Sequence, residues 1–233
     1  MHEEFVQLDG EIVFVRHSET RPGRPTLFFV HALGDSGLAF SEAFHHLQSI
    51  NYNLVAPDLV GYGKSSAALN GDYSIASQIL RLKRVASLLG VAQLILVGHS
   101  LGGLIATEWA ASESPTQLEA LVNIEGNLTP EDATFTRRAV EAFRSFAEDS
   151  TVWSAWFRST FVPSLTASEH SRPSPSLLRY YSSILLCRPE AFLANSLEIL
   201  QLTDVAPGET LSPIAARYVA VGLPKLYCWG SDS

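Results

Sequence analysis

The sequence predicts an α/β fold, in which a doubly wound and mostly parallel β-sheet carries helices on both faces. Apolar runs typical of buried strands alternate with stretches of helical periodicity. This alternation stops after Asn127, gives way to helical segments broken by prolines, and resumes near the end with a last strand. We therefore predict a core of residues 1–126 and 204–233 that surrounds a helical insert of residues 127–203.

The strands are predicted from short apolar runs bounded by turns. Residues 5–8 and Glu11–His17 flank an Asp9-Gly10 pair, which is typical of a tight turn between antiparallel strands. Residues 26–31 and 94–97 are continuously apolar, as in strands buried on both faces. Further strands are predicted at residues 52–56, Leu118–Ile124 and 225–229, and the intervening helices at residues 36–50, 75–89 and 104–111. In the insert, Thr129 is predicted to cap a helix that begins at Pro130, with Asp132 in its first turn.

Composition excludes several classes of protein. The 233 residues carry 16 Lys+Arg against 24 Asp+Glu, a net charge of −8, so we expect no nucleic-acid partner, which would need a basic surface. No apolar run approaches the roughly 20 residues that span a bilayer, and the N-terminus does not resemble a signal peptide. Cys187 and Cys228 are too few for a disulfide framework and favour a reducing compartment, the cytoplasm.

One motif carries chemistry. The apolar run of residues 94–97 leads directly into Gly98-His99-Ser100-Leu101-Gly102 and then into a helix, which is the G-x-S-x-G pattern in its strand–turn–helix context. Its glycines permit a sharp turn that exposes the Ser100 hydroxyl at a helix N-terminus, where N–H groups favour negative charge. We interpret Ser100 as a nucleophile; the alternative is a glycine-rich turn without chemistry.

Two further segments precede this motif in an order that gives the chain its resemblance to a known family. They are residues 29–34 (FVHALG) and 57–65 (PDLVGYGKS). With the serine motif they make the chain resemble the α/β-hydrolases that carry a helical cap, closely over residues 5–126 and loosely over 223–230. The resemblance implies serine-dependent hydrolysis of an ester, thioester or related small acyl substrate, without metal or cofactor.

The resemblance also implies roles for individual residues. The backbone N–H groups of Leu33 and Leu101 would form the oxyanion hole, although Ala32 stands where the family has glycine. His31 and Asp58 are expected to stabilise loops. His99 is expected to point away from Ser100 and to transfer no proton.

Two carboxylates compete for the role of the catalytic acid. Glu125 ends the strand Leu118–Ile124, where haloalkane dehalogenases and some other members keep this acid, and we favour it. The alternative is Asp232, which follows the last strand but lies one residue short of the usual position. In the simpler interpretation Glu125 is a loop carboxylate bonded to Asn127 or Thr129.

The family's catalytic histidine follows one more strand, and no histidine lies after residue 229 here. His170 falls in the insert, where a surface position is expected. A further strand, helix and histidine loop would need about 40 residues. Two hypotheses follow: an esterase-like enzyme whose histidine lies beyond Ser233, or a catalytically inactive binding protein, scaffold or fragment. Dehalogenase-like chemistry would need a carboxylate in place of Ser100.

Two expectations concern apolar side chains. An apolar last strand with Leu226, Tyr227 and Trp229 would form an open sheet edge, through which two copies could pair. Aromatic residues of the insert would shape an apolar pocket, although core packing is expected to explain most of them. These aromatic residues are Phe135, Trp153, Trp156, Phe157, Phe161, Tyr180 and Tyr181.

Overall fold

A seven-stranded sheet organises the computed structural model, which describes residues 1–47, 50–112, 117–167 and 174–230. The strands lie in the order β1-β2-β4-β3-β5-β6-β7. β1 and β2 form an antiparallel hairpin, β2 is antiparallel to β4, and the other neighbours are parallel, so the predicted mostly parallel sheet is confirmed. Their bounds are β1 His2–Leu8, β2 Glu11–His17, β3 Thr26–Val30, β4 Asn53–Pro57, β5 Leu94–His99, β6 Leu118–Ile124 and β7 Lys225–Cys228.

The two faces of the sheet are covered by separate apolar clusters. Phe29 and Val97 point to one face, where they pack with Phe40 and Phe44 from the segment after β3. Neighbouring side chains on the same strands point to the other face, where Phe28 meets Trp109 edge-on, with ring centroids 5.8 Å apart. Because successive residues of a strand face opposite sides, a strand buried on both sides must be continuously apolar, as the sequence predicted.

Helices follow most of the strands. Those of the described residues are α1 Ser41–His46, α2 Ile75–Leu88, α3 Leu101–Ser112, α4 Thr134–Ser145, α5 Ser150–Trp156, α6 Val162–Ala167, α7 Pro175–Ile184, α8 Pro189–Thr203 and α9 Pro213–Ala220. A π-helical turn, Phe157–Phe161, joins α5 to α6. The described part of residues 127–203 is helical, whereas its division from the core as a separate insert stays a prediction.

Three predicted helix starts are wrong. α3 begins at Leu101 and not at the predicted residue 104. The segment at residues 36–50 begins with a short 3-10 turn, Gly37–Phe40, before α1. After β6, the chain makes a 3-10 turn before α4 begins at Thr134. Thr129 is not the capping acceptor there: its N–H and its hydroxyl both donate to the Asp132 carboxylate, because the negative charge attracts both donors.

None of the described helices combines the length and the apolar character that crossing a membrane requires. Both cysteines are free thiols, with Cys187 buried and Cys228 half-buried.

Candidate active site

Ser100 lies in the turn between β5 and α3, at the edge of the sheet where the parallel strands end. Its φ of 52° is a left-handed conformation that non-glycine residues rarely adopt. The turn is held by hydrogen bonds on both sides: the Ser100 N–H donates to the Ile124 carbonyl at 3.0 Å, and the Ser100 carbonyl accepts from the Gly103 N–H at 2.9 Å. The predicted nucleophile is thus fixed to β6 as well as to α3.

The glycines around Ser100 are required by close backbone contacts. A Cβ on Gly98 would lie 2.1 Å from the Gly102 carbonyl oxygen, and one on Gly102 would lie 2.0 Å from the Val30 carbonyl oxygen. These distances are far inside van der Waals contact with backbone atoms, which cannot move aside easily. The G-x-S-x-G spacing therefore reflects the packing of α3 against the ends of β3 and β5.

Ser100 opens onto a cavity of about 700 Å³. The described residues that line it are Ala32, Leu33, His99, Ser100, Glu125, Asn127, Glu131, Asp132, Phe135, Thr136, Tyr180, Tyr227 and Trp229. The size suits a small organic molecule, and the lining combines aromatic rings with a few polar groups, as in typical ligand sites. The structure thus brings Ser100, Glu125 and Leu33 to one cavity.

The loop after β3 holds the peptide that carries the Leu33 N–H. The Ala32 carbonyl accepts hydrogen bonds from His31 Nδ1 at 2.8 Å and from the Asp35 N–H at 3.1 Å. Because a trans peptide is planar, fixing this carbonyl also fixes the Leu33 N–H, which points the opposite way. The Leu101 N–H lies at the start of α3, next to Ser100, where helix N–H groups lack intrahelical acceptors.

His31 is a loop-stabilising residue, as predicted. It is fully buried, and its Nε2 accepts a hydrogen bond from the Leu59 N–H at 2.9 Å while Nδ1 bonds Ala32. One nitrogen donates and the other accepts, which requires the neutral ring. Burial lowers the pKa of His31, although the nearby Asp58 carboxylate opposes this shift.

Asp58 likewise stabilises loops and lies outside the cavity lining. It is fully buried, and it accepts hydrogen bonds from Arg16 Nη1 and the Gly37 N–H, each at 2.7 Å, and from the Lys64 N–H at 2.9 Å. The sequence-based expectation for this carboxylate is confirmed.

Glu125 follows β6 directly and has a φ of 48°, again in the left-handed region. Its Oε1 accepts a hydrogen bond from the Gly230 N–H at 2.8 Å, and its Oε2 lies 4.0 Å from His99 Nε2. The partners expected for a simple loop carboxylate, Asn127 and Thr129, are not those it binds among the described residues. Asp232, the competing acid, lies outside the described residues.

His99 lies on the wall of the same cavity, beside Glu125, which the sequence reasoning did not anticipate. Burial lowers the pKa of His99, while the carboxylates of Asp35 and Glu125 oppose the shift. Among the described contacts, no hydrogen bond joins His99 to Ser100.

The remaining histidines either do not line the cavity or lie outside the described residues. His2 and His17 stack on the hairpin, and His45 and His46 belong to α1. His170 lies outside the described residues. No histidine in the described ranges is therefore bonded to Ser100.

Asn127 is the residue that sequence reasoning missed. The Ser100 hydroxyl donates to Asn127 Oδ1 at 3.4 Å, and Asn127 Nδ2 donates to the Asp132 carbonyl at 2.7 Å. The second bond fixes the amide so that its oxygen faces Ser100. Its position two residues after Glu125 was the one available signal, since it placed the amide at the same sheet edge.

Most aromatic residues of the insert pack together, as expected. Trp153, Phe157 and Phe161 are almost fully buried against one another, and the Trp153 indole N–H donates to the Ala139 carbonyl at 2.9 Å. Of the seven named from the sequence, Phe135 and Tyr180 line the cavity. In the described part of the chain, no three His, Cys, Asp or Glu side chains are grouped as metal ligands would be.

The profile of the alpha/beta hydrolase fold family matches residues 25–182 of the chain. An uncharacterized protein of Mycobacterium tuberculosis is 27% identical over 114 residues, which cover 49% of this chain and 33% of that protein. A Cronobacter turicensis protein with the provisional name carbamate hydrolase RutD is 33% identical over 129 residues, or 55% of this chain and 47% of its own. The chain thus spans about a third to a half of the length of these relatives.

Solved structures share the fold. A carboxylesterase structure from the thaumarchaeon Nitrososphaera gargenis superimposes with a TM-score of 0.70 at 17% identity, covering 98% of this chain and 80% of the other. At this identity the similarity concerns the fold alone.

Proposed function

Because the chain belongs to the alpha/beta hydrolase fold family, we propose that it hydrolyses an ester, thioester or related acyl substrate with Ser100 as the nucleophile. The observation that carries the proposal is the position of Ser100. It has a left-handed backbone at the head of α3 and opens onto a cavity of about 700 Å³. Such exposure of one hydroxyl at a helix N-terminus suits attack on a carbonyl carbon.

In the proposed reaction, Ser100 Oγ bonds to the acyl carbon as its proton passes to a base. The carbonyl electron pair moves onto oxygen, and the N–H groups of Leu33 and Leu101 donate to that oxyanion. Losing one such donor typically lowers the rate by about 10²–10³-fold. Collapse of the intermediate expels the alcohol or thiol, which takes up the proton, and water then releases the acyl group from Ser100.

Glu125 is the proposed acid, whose role is to orient the base. Support comes from its position on the cavity wall and from the Gly230 N–H, which anchors one carboxylate oxygen. The proposed base is a histidine, as the family resemblance implies. Residues 127–203 would cover the cavity as a cap that selects the acyl group, in a cytoplasmic protein.

A fluorophosphonate probe tests this proposal, because it labels only an activated serine. Labelling is run on this chain and on the longest product its gene encodes, since the base could come from either. We expect label on the Ser100 peptide, none in Ser100→Ala, and normal labelling in Ser112→Ala, a serine at the far end of α3. A folded protein that stays unlabelled in both forms would refute the proposal.

A second candidate is a binding protein that retains the cavity without turnover. It is favoured by the hydrogen bond from Ser100 to Asn127, because an amide oxygen cannot act as a base. Hydrolysis of p-nitrophenyl butyrate that disappears in Ser100→Ala would exclude this candidate.

A further inference from the structure

The loop that carries the proposed oxyanion donor is held from two directions. The peptide before Leu33 is fixed within the loop, through the bonds from His31 and Asp35 to the Ala32 carbonyl. The peptide after Leu33 is held from a different part of the chain: its carbonyl accepts a hydrogen bond from Tyr180 Oη of α7 at 3.0 Å. The two contacts together determine the orientation of the residue between them.

The hydrogen bond from Tyr180 to the Leu33 carbonyl matters for the loop because the next residue is Gly34. Its φ of 76° lies in the left-handed region, which glycine adopts without strain, so the backbone at Gly34 is intrinsically free to rotate. A Cβ there would lie 2.9 Å from Tyr180 Oη and 3.0 Å from Ile184 Cδ1, so α7 packs directly against this glycine. The Tyr180 hydroxyl therefore restrains a peptide whose glycine has no Cβ to limit its backbone conformation.

Tyr180 is suited to donate this bond permanently. Burial raises the pKa of its hydroxyl well above the ordinary value, so the proton stays on the oxygen at any physiological pH. A second contact, between the hydroxyls of Ser183 and Ser36 at 2.9 Å, holds the same helix to the same loop. α7 is thus positioned by more than one bond, and its tyrosine reaches Leu33 in a defined orientation.

We propose that Tyr180 is a positioning residue that holds the Leu33 amide in place for the oxyanion. This inference rests on the proposed function, and it couples α7, which contributes to the cavity wall, to the chemistry at Ser100. The hydroxyl acts through the Leu33–Gly34 peptide and does not itself contact the reacting atoms.

The test compares Tyr180→Phe with Tyr181→Phe, which makes the same change at the next residue of α7, a side chain outside the described cavity lining. On p-nitrophenyl butyrate we expect Tyr180→Phe to lower kcat about tenfold with KM within twofold, since one hydrogen bond is lost indirectly. A trifluoromethyl ketone forms a tetrahedral oxyanion with Ser100, so it should bind to Tyr180→Phe about tenfold more weakly than to the unaltered protein. The affinity for the matching methyl ketone should not change. Tyr181→Phe should alter none of these constants.

A second readout does not depend on activity. The Gly34 N–H belongs to the same peptide as the Leu33 carbonyl, so its signal in the NMR spectrum of glycine-labelled protein reports on the contact. We expect this signal to shift or broaden in Tyr180→Phe and to stay in place in Tyr181→Phe.

The outcomes separate the two proposals. An unmoved Gly34 signal, or an unchanged kcat in an active protein, would overturn the positioning role. Equal weakening of both ketones would also overturn it, because a general structural loss would affect both alike. If the Gly34 signal moves in a protein without serine-dependent turnover, the contact between Tyr180 and the loop is supported and the proposed hydrolase function is refuted.

Discussion

At the scale of single residues, Glu125 is the carboxylate with the clearest functional prediction. Glu125→Gln keeps the shape and the bond from the Gly230 N–H but removes the charge that would orient an imidazolium. We expect kcat for p-nitrophenyl butyrate to fall by about 10²–10⁴-fold, as for comparable acids in serine enzymes. Glu119→Gln, at an exposed position of the same strand, is the matched control and should keep full activity. Equal activity in the two variants would contradict Glu125 as the catalytic acid and favour Asp232 instead.

The last glycine of the nucleophile motif, Gly102, gives a prediction on stability. Gly102→Ala would force a methyl group against the Val30 carbonyl, so we expect the free energy of unfolding to fall by about 2–4 kcal/mol. Gly222→Ala is the control, because a Cβ there has no described atom within 4 Å. Urea unfolding of both variants measures the difference. A Gly102→Ala protein as stable as the control would mean that α3 does not pack this closely.

His31 predicts a pH dependence. Burial lowers its pKa in the folded state, whereas an unfolded histidine titrates near about 6.5. The unfolded chain therefore binds more protons below this pH, and the stabilisation present at higher pH is lost as the pH falls, by up to about 1.4 kcal/mol per unit. Urea unfolding between pH 8 and pH 5 should show this decline.

His31→Asn removes the titrating ring and should make that decline shallower, while lowering stability at pH 8. A part of the decline should remain, since burial lowers the pKa of His99 in the same direction. An equally steep decline in the variant would show that His31 does not contribute.

Residue roles could be predicted from sequence where a motif fixes the backbone. His31 and Asp58 belong to two such loops, and both proved to be structural. The roles of Asn127 and Tyr180 were missed, because their contacts join segments that are far apart in sequence or that belong to no motif. The cavity position of His99 was missed for a related reason: the turn at Ser100, with its positive φ, breaks the alternation that places side chains along a strand.

At the scale of elements, α8 is tied to the segment after β4 by a buried amide. Asn195 accepts a hydrogen bond from the Tyr62 hydroxyl at 2.6 Å and donates to the Tyr73 carbonyl at 2.7 Å. Asn195→Ala should lower the free energy of unfolding by about 2–3 kcal/mol, because it leaves buried polar groups without partners.

The next residue, Ser196, provides the matched control, because its substitution by alanine is not expected to lower the free energy of unfolding. It is equally buried, but its hydroxyl has no hydrogen-bond partner among the described residues. Ser196→Ala should therefore be neutral or raise stability by about 0.5–1 kcal/mol. Urea unfolding distinguishes the two, and a loss as large as that of Asn195→Ala would contradict the assignment.

Strands were easier to predict than helix starts for a physical reason. β2 and β6 have the bounds that their sequence patterns predicted. The reason is that burial in the sheet favours apolar side chains along the strand. The predicted start of α4 depended instead on local competition between hydrogen-bonding groups. Thr129 donates to Asp132 and caps no helix, and α4 begins at Thr134 without a side-chain cap. Such local competition leaves little trace in periodicity.

At the scale of the whole molecule, β7 is one of the two edge strands of the described sheet, with Leu226 55% exposed and Trp229 70% exposed beside it. We expect two copies to pair along this edge, so light scattering should show a mass that rises toward twice the monomer mass with concentration. Leu226→Lys should abolish the rise, whereas Leu80→Lys, at a leucine of α2 that is 66% exposed, should not. A constant monomer mass in the unaltered chain would refute the pairing.

Ser100 and Glu125 share a backbone conformation that glycine would adopt at less cost, with φ values of 52° and 48°. A non-glycine residue there is disfavoured by about 1 kcal/mol or more. Laboratory evolution that selects only for survival at high temperature should therefore enrich glycine at both positions. The variants that best resist heat would be those that have discarded the two side chains on which turnover is proposed to depend.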